Sequence, residues 1–138
     1  MSKHQKHIWH FTVLEDHLDS FSHMNHATYL QLFEQARWEL VTERGYGLKK
    51  ILATQIGPTI LEAHIHYNRE LLLRENITIE TECTEYRRKI GKIFQRMINS
   101  QGQEAATLEI KLGLFDLKTR KLIAPTNEWL HAIDAESL

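Results

Sequence analysis

Residues 19–37 read DSFSHMNHATYLQLFEQAR and join a dense polar cluster to an amphipathic helical pattern. In and just beyond the second half of this stretch, apolar side chains recur at the spacing of one helix face. They are Tyr29, Leu32, Phe33, Ala36, Leu40 and Val41. Asn25 is a suitable N-cap residue, and Gly45 and Gly47 end the pattern. The sequence therefore predicts one helix of about 19 residues.

Most of the remaining chain alternates apolar and polar side chains, which is typical of half-buried strands. Five segments show this pattern: residues 7–14, 59–68, 77–86, 93–99 and 105–116. The last four follow one another through short connections, which predicts an antiparallel sheet. A long helix with one apolar face is accommodated beside such a sheet if the sheet curls around it.

Three local features complete the predicted fold. Gly57-Pro58 is expected to break the chain before the second strand. That strand is expected to have one polar face and one core face, the core face being formed by Leu61, Ala63, Ile65 and Tyr67. Pro125 and Thr126 are expected to open a short terminal helix over residues 127–133.

Composition narrows the class of protein. A chain of 138 residues with 42% hydrophobic and 25% charged residues predicts a single globular domain over residues 1–138. The formal net charge of -1 argues against a general nucleic-acid binder. The single cysteine, Cys83, cannot form an internal disulfide and falls on an apolar strand face, which predicts an inert buried thiol in a reducing compartment. No apolar run suits a signal peptide or a membrane span, so a cytoplasmic location is predicted.

The polar cluster and the helix resemble the signature of the hotdog-fold acyl-CoA thioesterases, the 4-hydroxybenzoyl-CoA thioesterase-like family. In that family an aspartate precedes a Gly-His-Val-Asn-Asn-like loop and a helix of Tyr-Leu-x-x-x-Glu-x-Ala-Arg type. The matching residues here are Asp19, Ser22, His23, Met24, Asn25, His26, Ala27, Tyr29, Leu30, Glu34, Ala36 and Arg37. The chain departs from the pattern at Ser22, where many members carry glycine, and at His26, where many carry asparagine.

This resemblance implies an α+β hotdog fold, in which an antiparallel sheet of about five strands wraps around one long helix. It also implies hydrolysis of an acyl thioester to the free acid and the thiol, with Asp19 in the position of the family's catalytic aspartate. Similar members are dimers or dimers of dimers with active sites at the subunit interface, so a homodimer or homotetramer is expected. The resemblance implies neither a metal nor a bound cofactor, and it makes the coenzyme A thioester the substrate.

A carboxylate suits this reaction, because it can either activate water or attack the thioester carbonyl carbon itself. Backbone N–H groups at a helix start can stabilise the oxyanion that develops. We therefore assign Asp19 as general base or nucleophile and expect the amides near the helix start to polarise the carbonyl. Asn25 and His26 are expected to shape this loop, and Tyr29 and Tyr67 to lie beside the acyl pocket.

Other interpretations of these side chains remain open. An aspartate just before a helix also suits a capping role, and Asp16 is a second carboxylate close by. His64 and His66 point the same way from one predicted strand, which suits a metal ion, but no third ligand follows at a recognisable spacing. His26 suits either a substrate contact or a purely structural role.

The predicted turn between the third and fourth strands is strongly basic, with Arg87, Arg88, Lys89 and Lys92. These cations could bind the phosphates of coenzyme A or the phosphate of a carrier protein's phosphopantetheine. Alternatively, they belong to a turn that is only solvated and binds no ligand. Two functions therefore compete with an acyl-CoA thioesterase: a thioesterase for acyl carrier protein, and a non-catalytic hotdog protein that binds an acyl thioester. The presence of Asp19 favours an enzyme, whereas Ser22 in place of glycine is compatible with a non-catalytic binding protein.

Overall fold

The structure is a computed structural model that describes residues 5–138, so the first four residues of the predicted domain lie outside it. Its elements, numbered in chain order, are β1 (His7–Thr12), α1 (His26–Glu43), α2 (Leu48–Thr54), β2 (Ile56–Tyr67), β3 (Asn76–Arg87), β4 (Ile90–Ile98), β5 (Glu104–Asp116), β6 (Lys121–Ile123) and α3 (Asn127–Ala132). A 3₁₀ turn, Glu15–His17, lies between β1 and α1.

All six described strands belong to one antiparallel sheet, in the order β1-β3-β4-β5-β2, with β6 paired to the end of β5. This confirms the predicted α+β arrangement. The expectation of about five strands did not include β6, because its three residues are too few to show an alternating pattern.

Helix α1 lies on the apolar face of the curled sheet. Its buried side chains are the six that the helical spacing predicted: Tyr29, Leu32, Phe33, Ala36, Leu40 and Val41. They join a core to which β5 contributes Ala106, Leu108, Ile110, Leu112 and Leu114, also as predicted. The side chain of Asn25 accepts a hydrogen bond from the Ala27 N–H at 2.9 Å, which confirms the predicted N-cap.

The two shorter helices differ in how well they could be predicted. Helix α3 begins as expected after Thr126, whose hydroxyl accepts a hydrogen bond from the Trp129 N–H at 3.1 Å. Helix α2 was not predicted, because seven residues are too few for a helical period to stand out. Within residues 5–138, none of the helices has the length and apolar character needed to cross a membrane.

The expected break at Gly57-Pro58 is wrong, because both residues lie inside β2. A proline is tolerated there since β2 is an edge strand, where one row of backbone N–H groups needs no partner strand. A Cβ atom at Gly57 would lie 2.8 Å from Cγ2 of Ile51. Glycine at this position therefore allows α2 to pack closely against the start of β2.

The predicted core face of β2 is also wrong. Leu61 and Tyr67 are each 45% exposed, Ala63 is exposed and Ile65 is only half-buried. Strand β2 pairs with β5 along one edge, and in the described part of the chain nothing pairs with its other edge. An alternating pattern identifies a strand, but it does not reveal whether the same chain covers its apolar side chains.

The basic turn is shorter than predicted. Arg88 and Lys89 form the turn itself, whereas Arg87 ends β3 and Lys92 lies in β4. The carboxylate of Glu85 lies 3.8 Å from the Arg87 guanidinium and 3.4 Å from the Lys92 ammonium. These two cations therefore already have an acidic neighbour.

Cys83 is 1% exposed within β3, which confirms the predicted burial of this thiol. Burial raises its pKa to about 11. The thiolate, which is the reactive form of cysteine, is therefore scarce at neutral pH.

Candidate active site

Asp19 lies in a tight turn that leads into α1. Its Oδ1 accepts a hydrogen bond from the Phe21 N–H at 2.8 Å, and its carbonyl oxygen accepts one from the Ser22 N–H at 3.1 Å. Its own N–H donates to the carbonyl oxygen of His23 at 3.0 Å. No hydrogen bond to Oδ2 of Asp19 is formed by residues 5–138. The turn thus fixes one carboxylate oxygen and leaves the other for water or substrate.

Ser22 has a left-handed backbone conformation, with φ of 67°. Glycine adopts this conformation at no steric cost, whereas other residues lose roughly 1–2 kcal/mol there. Serine in place of the family's glycine at this position therefore introduces backbone strain into the turn that holds Asp19.

We expect Ser22→Val to lower the free energy of unfolding by about 1 kcal/mol relative to wild type, because a branched side chain tolerates positive φ poorly. Ser22→Gly should stay within about 0.5 kcal/mol, since relief of strain is offset by the greater entropy of an unfolded glycine. Urea unfolding measures both variants. Ser20→Val, on a neighbouring exposed residue without positive φ, is the control, and equal stability of the two valine variants would refute the strain.

The start of α1 offers one backbone donor to the site. The Ala27 N–H is bonded to the Asn25 side chain, and the Thr28 N–H donates to the Asn25 carbonyl oxygen at 3.0 Å. The His26 N–H has no acceptor among the residues that the structure describes. Because the positive end of the helix dipole lies here as well, this amide is suited to a negatively charged oxygen.

A cavity of about 450 Å³ brings Asp19 and His26 together with both predicted tyrosines. The Tyr67 hydroxyl donates to the His26 carbonyl oxygen at 2.9 Å, which ties the end of β2 to the start of α1. The Tyr29 hydroxyl lies 3.4 Å from the Arg69 carbonyl oxygen, and the two tyrosine rings meet edge to face with centroids 5.0 Å apart. Burial of Tyr29 and partial desolvation of Tyr67 raise the pKa of both phenols, so both remain hydrogen-bond donors at neutral pH.

Two further lining residues, His23 and Met24, belong to the matched family motif but were given no role from the sequence. The sequence did not point to the other four lining residues: Phe21, Asn68, Arg69 and Glu70. Phe21 is 78% exposed, and its ring stacks on that of His23 with centroids 6.1 Å apart. The loop after β2 reaches the site through a backbone bridge between His23 and Leu72. No local pattern reveals this bridge, but the position of Phe21 two residues after Asp19 was a usable signal.

Other predicted residues lie away from the Asp19 cavity. Asp16 is exposed and does not line it. The Arg88-Lys89 turn is at the opposite end of β3, roughly 35 Å along the strand from Asn76. His64 and His66 are exposed on β2, and the structure places no group of three or more potential metal ligands together within residues 5–138. Coenzyme A binding by the basic turn stays a prediction, and one chain alone does not bring that turn to Asp19.

Comparison with known proteins gives consistent matches over most of the chain. The model of the thioesterase-like superfamily matches residues 13–133. The long-chain acyl-CoA thioesterase FadM of Escherichia coli strain K12 is 31% identical over 113 residues, which cover 81% of this chain and 85% of FadM. The acyl-CoA thioester hydrolase YbgC of Escherichia coli O6:H1 is 23% identical over 117 residues, which cover 83% of this chain and 87% of YbgC.

Among solved structures, SAV2348 from Staphylococcus aureus, determined in complex with CoA, superposes with a TM-score of 0.88. The two chains are 23% identical, and the superposition covers 97% of this chain and 85% of SAV2348. This likeness confirms the predicted hotdog fold.

Proposed function

This chain belongs to the thioesterase-like superfamily and is a thioester hydrolase, and we propose that it hydrolyses an acyl-CoA at the cavity around Asp19. The products are the free acid and coenzyme A. One observation carries this proposal: Asp19 and His26 line the same cavity. Among residues 5–138, nothing donates a hydrogen bond to Oδ2 of Asp19, and nothing accepts one from the His26 N–H.

In the general-base form of the reaction, Oδ2 of Asp19 takes a proton from water as the water oxygen attacks the thioester carbonyl carbon. The carbonyl oxygen becomes an oxyanion, which the His26 N–H and the positive end of α1 stabilise. The C–S bond then breaks, and the thiolate leaves with a proton from Asp19 or from solvent. In the nucleophilic form, Oδ2 attacks the carbonyl carbon directly, the C–S bond breaks and the coenzyme A thiolate leaves, taking a proton from solvent. Water then hydrolyses the resulting mixed anhydride, which gives the free acid and restores the Asp19 carboxylate. The hydrogen bond from the Phe21 N–H to Oδ1 is compatible with both forms of the reaction, because it orients the carboxylate and leaves Oδ2 ionised.

The two tyrosines would support this chemistry by positioning the backbone at the start of α1. Tyr67 holds the His26 carbonyl, so it orients the peptide that follows the proposed oxyanion donor. Tyr29 packs against the Tyr67 ring and supports that arrangement from within the helix. Asn25 caps the helix and fixes the direction of its first amides.

Release of free thiol from short, long and aromatic acyl-CoAs tests the proposed activity directly. We expect turnover of at least one acyl class, and the preferred class identifies the acyl group. Turnover of acyl carrier protein thioesters alone would favour the carrier-protein alternative. If coenzyme A stabilises the protein against heat but no thioester is hydrolysed, the chain is a binding protein and the catalytic proposal is wrong.

We also propose that two copies associate through the open edge of β2. This strand is 12 residues long, and an unpaired strand edge with exposed apolar side chains readily pairs with another strand. Ile60 is 46% and Leu61 45% exposed near its middle. Antiparallel pairing of the two β2 strands would place the Asp19 cavity of one copy beside the β3–β4 turn end of the other. The basic residues of that turn would then lie closer to the substrate than they do within one chain.

We expect wild type to sediment as a dimer or tetramer, and the double variant Leu61→Asp/Ala63→Asp to sediment at a smaller mass, because like charges would face each other across the paired edges. Analytical ultracentrifugation measures this difference. Thr84→Asp, an exposed residue on β3, is the matched control. A double variant with the wild-type mass would show that the edge of β2 is not the interface.

A further inference from the structure

A second cavity, of about 390 Å³, lies between the later part of α1, α2 and the start of β2. It shares no lining residue with the Asp19 cavity. Its walls are largely apolar and include Trp38, Leu48, Ile51, Ile60, Phe115 and Ile133. Only two of its lining residues carry charge, Glu34 and Arg37. A volume of this size with few polar groups is typical of a small-molecule site.

Arg37 is anchored from the core side of this cavity. Its Nη1 donates a hydrogen bond to Oε1 of Gln95 at 2.8 Å. Gln95 has no exposed surface, and its Nε2 donates to the Phe33 carbonyl oxygen at 2.9 Å and to the Thr81 hydroxyl at 3.0 Å. The amide is therefore fixed with its oxygen toward Arg37. This arrangement holds the guanidinium at the cavity wall instead of letting it extend into water.

The charge of Arg37 is not paired within the described part of the chain. No carboxylate oxygen of residues 5–138 lies within 4.0 Å of its guanidinium. A guanidinium has five N–H donors, and the bond to Gln95 uses one. Burial lowers the pKa of Arg37 to about 10, whereas the negative charge of Glu34 raises it, so the side chain stays protonated at neutral pH. Glu34 also lines this cavity, but it is exposed, so its charge acts through water of high dielectric and affects a ligand less than a buried charge would.

An apolar cavity with one held cation calls for a ligand that is apolar along most of its length and anionic at one end. We propose that this cavity is a second binding site, for an alkyl carboxylate whose chain lies among the apolar walls and whose carboxylate accepts hydrogen bonds from Arg37. Two sources have this chemistry: a free fatty acid, and the far end of an acyl group that carries a second carboxylate. The site goes beyond the proposed hydrolysis, since a free acid can bind without turnover.

Isothermal titration of the full chain with decanoate and with decanol tests the site, because the two molecules share a chain and differ in charge. We expect wild type to bind decanoate about 10- to 100-fold more tightly than decanol, as a charge-assisted hydrogen bond would provide. Arg37→Met should remove this difference, and Arg37→Lys should retain part of it. Equal affinity of wild type for both molecules, or unchanged decanoate binding in Arg37→Met, would overturn the proposal.

Two further variants separate the site from a general effect on folding. Leu48→Trp should weaken the binding of decanoate and of decanol alike, because Leu48 lines the cavity and a larger side chain would fill part of it. The protein should still fold, since Leu48 is 59% exposed. Lys49→Met removes a neighbouring exposed cation that does not line the cavity, and it should bind both molecules as wild type does. Loss of the decanoate preference in Lys49→Met would contradict the role of Arg37.

Turnover distinguishes the two sources of the carboxylate. A preference for decanedioyl-CoA over decanoyl-CoA that disappears in Arg37→Met assigns the site to the far end of the substrate. Equal turnover of the two thioesters, together with Arg37-dependent decanoate binding, assigns it to a free fatty acid. Because the titration detects binding alone, its outcome is independent of whether any acyl-CoA is hydrolysed at Asp19.

Discussion

Asp19→Asn is expected to lower kcat for acyl-CoA hydrolysis by about 10²- to 10⁴-fold, the usual contribution of a positioned base. The amide has nearly the shape of the carboxylate, and its oxygen can still accept the hydrogen bond from the Phe21 N–H. It can neither take a proton from water nor attack a thioester carbonyl carbon. The turn and the cavity should therefore persist, with KM little changed, while the chemistry is lost. Thiol release under saturating and limiting substrate separates kcat from KM.

Asp16→Asn is the matched control for this experiment. Asp16 lies in the 3₁₀ turn three residues earlier, is exposed and does not line the Asp19 cavity. We expect its kcat to stay within about twofold of wild type, as for surface substitutions that touch no functional group. If Asp19→Asn turns over like wild type, or if Asp16→Asn loses as much activity, the catalytic assignment is wrong. Both variants should keep the wild-type melting temperature and oligomeric mass.

Trp129→Ala is expected to lower the free energy of unfolding by about 3–5 kcal/mol, the usual cost of truncating a buried tryptophan. Trp129 is 1% exposed on α3, and its ring meets that of Tyr46 nearly edge to face with centroids 5.3 Å apart. Its Nε1–H donates to the Tyr86 hydroxyl at 3.2 Å. For a chain of this length the melting temperature should fall by roughly 10 °C or more.

Trp129→Phe separates the two contributions of this side chain. Phenylalanine keeps an aromatic ring beside Tyr46 but has no N–H for the Tyr86 hydroxyl, so we expect a loss of about 1–2 kcal/mol. Calorimetry and urea unfolding measure both variants. A Trp129→Ala protein that melts within about 2 °C of wild type would mean that α3 is not an integral part of the core.

The helix and its cap could be predicted from the sequence because their causes are local. The apolar face of α1 follows from side-chain spacing, and the cap at Asn25 depends on an amide two residues away. The same holds for β5, whose alternating residues are buried as expected. Burial on β2 could not be predicted in this way. Its alternation is as clear as that of β5, but its position at the sheet edge depends on how all the strands are ordered.

The local sequence was therefore sufficient for α1, α3 and the five longer strands, for the family signature and for the identity of Asp19 as the candidate carboxylate, because each depends on residues within a few positions of one another. It was not sufficient for the short elements α2 and β6. The tertiary structure was needed to bring Tyr67 and the loop after β2 to the start of α1, since these contacts join residues about 40 or more positions apart. The tertiary structure was also needed to reveal the second cavity, at whose wall Arg37 lies. There a cation that the helix motif alone would place on a surface is held at an apolar wall by Gln95, 58 residues further along the chain.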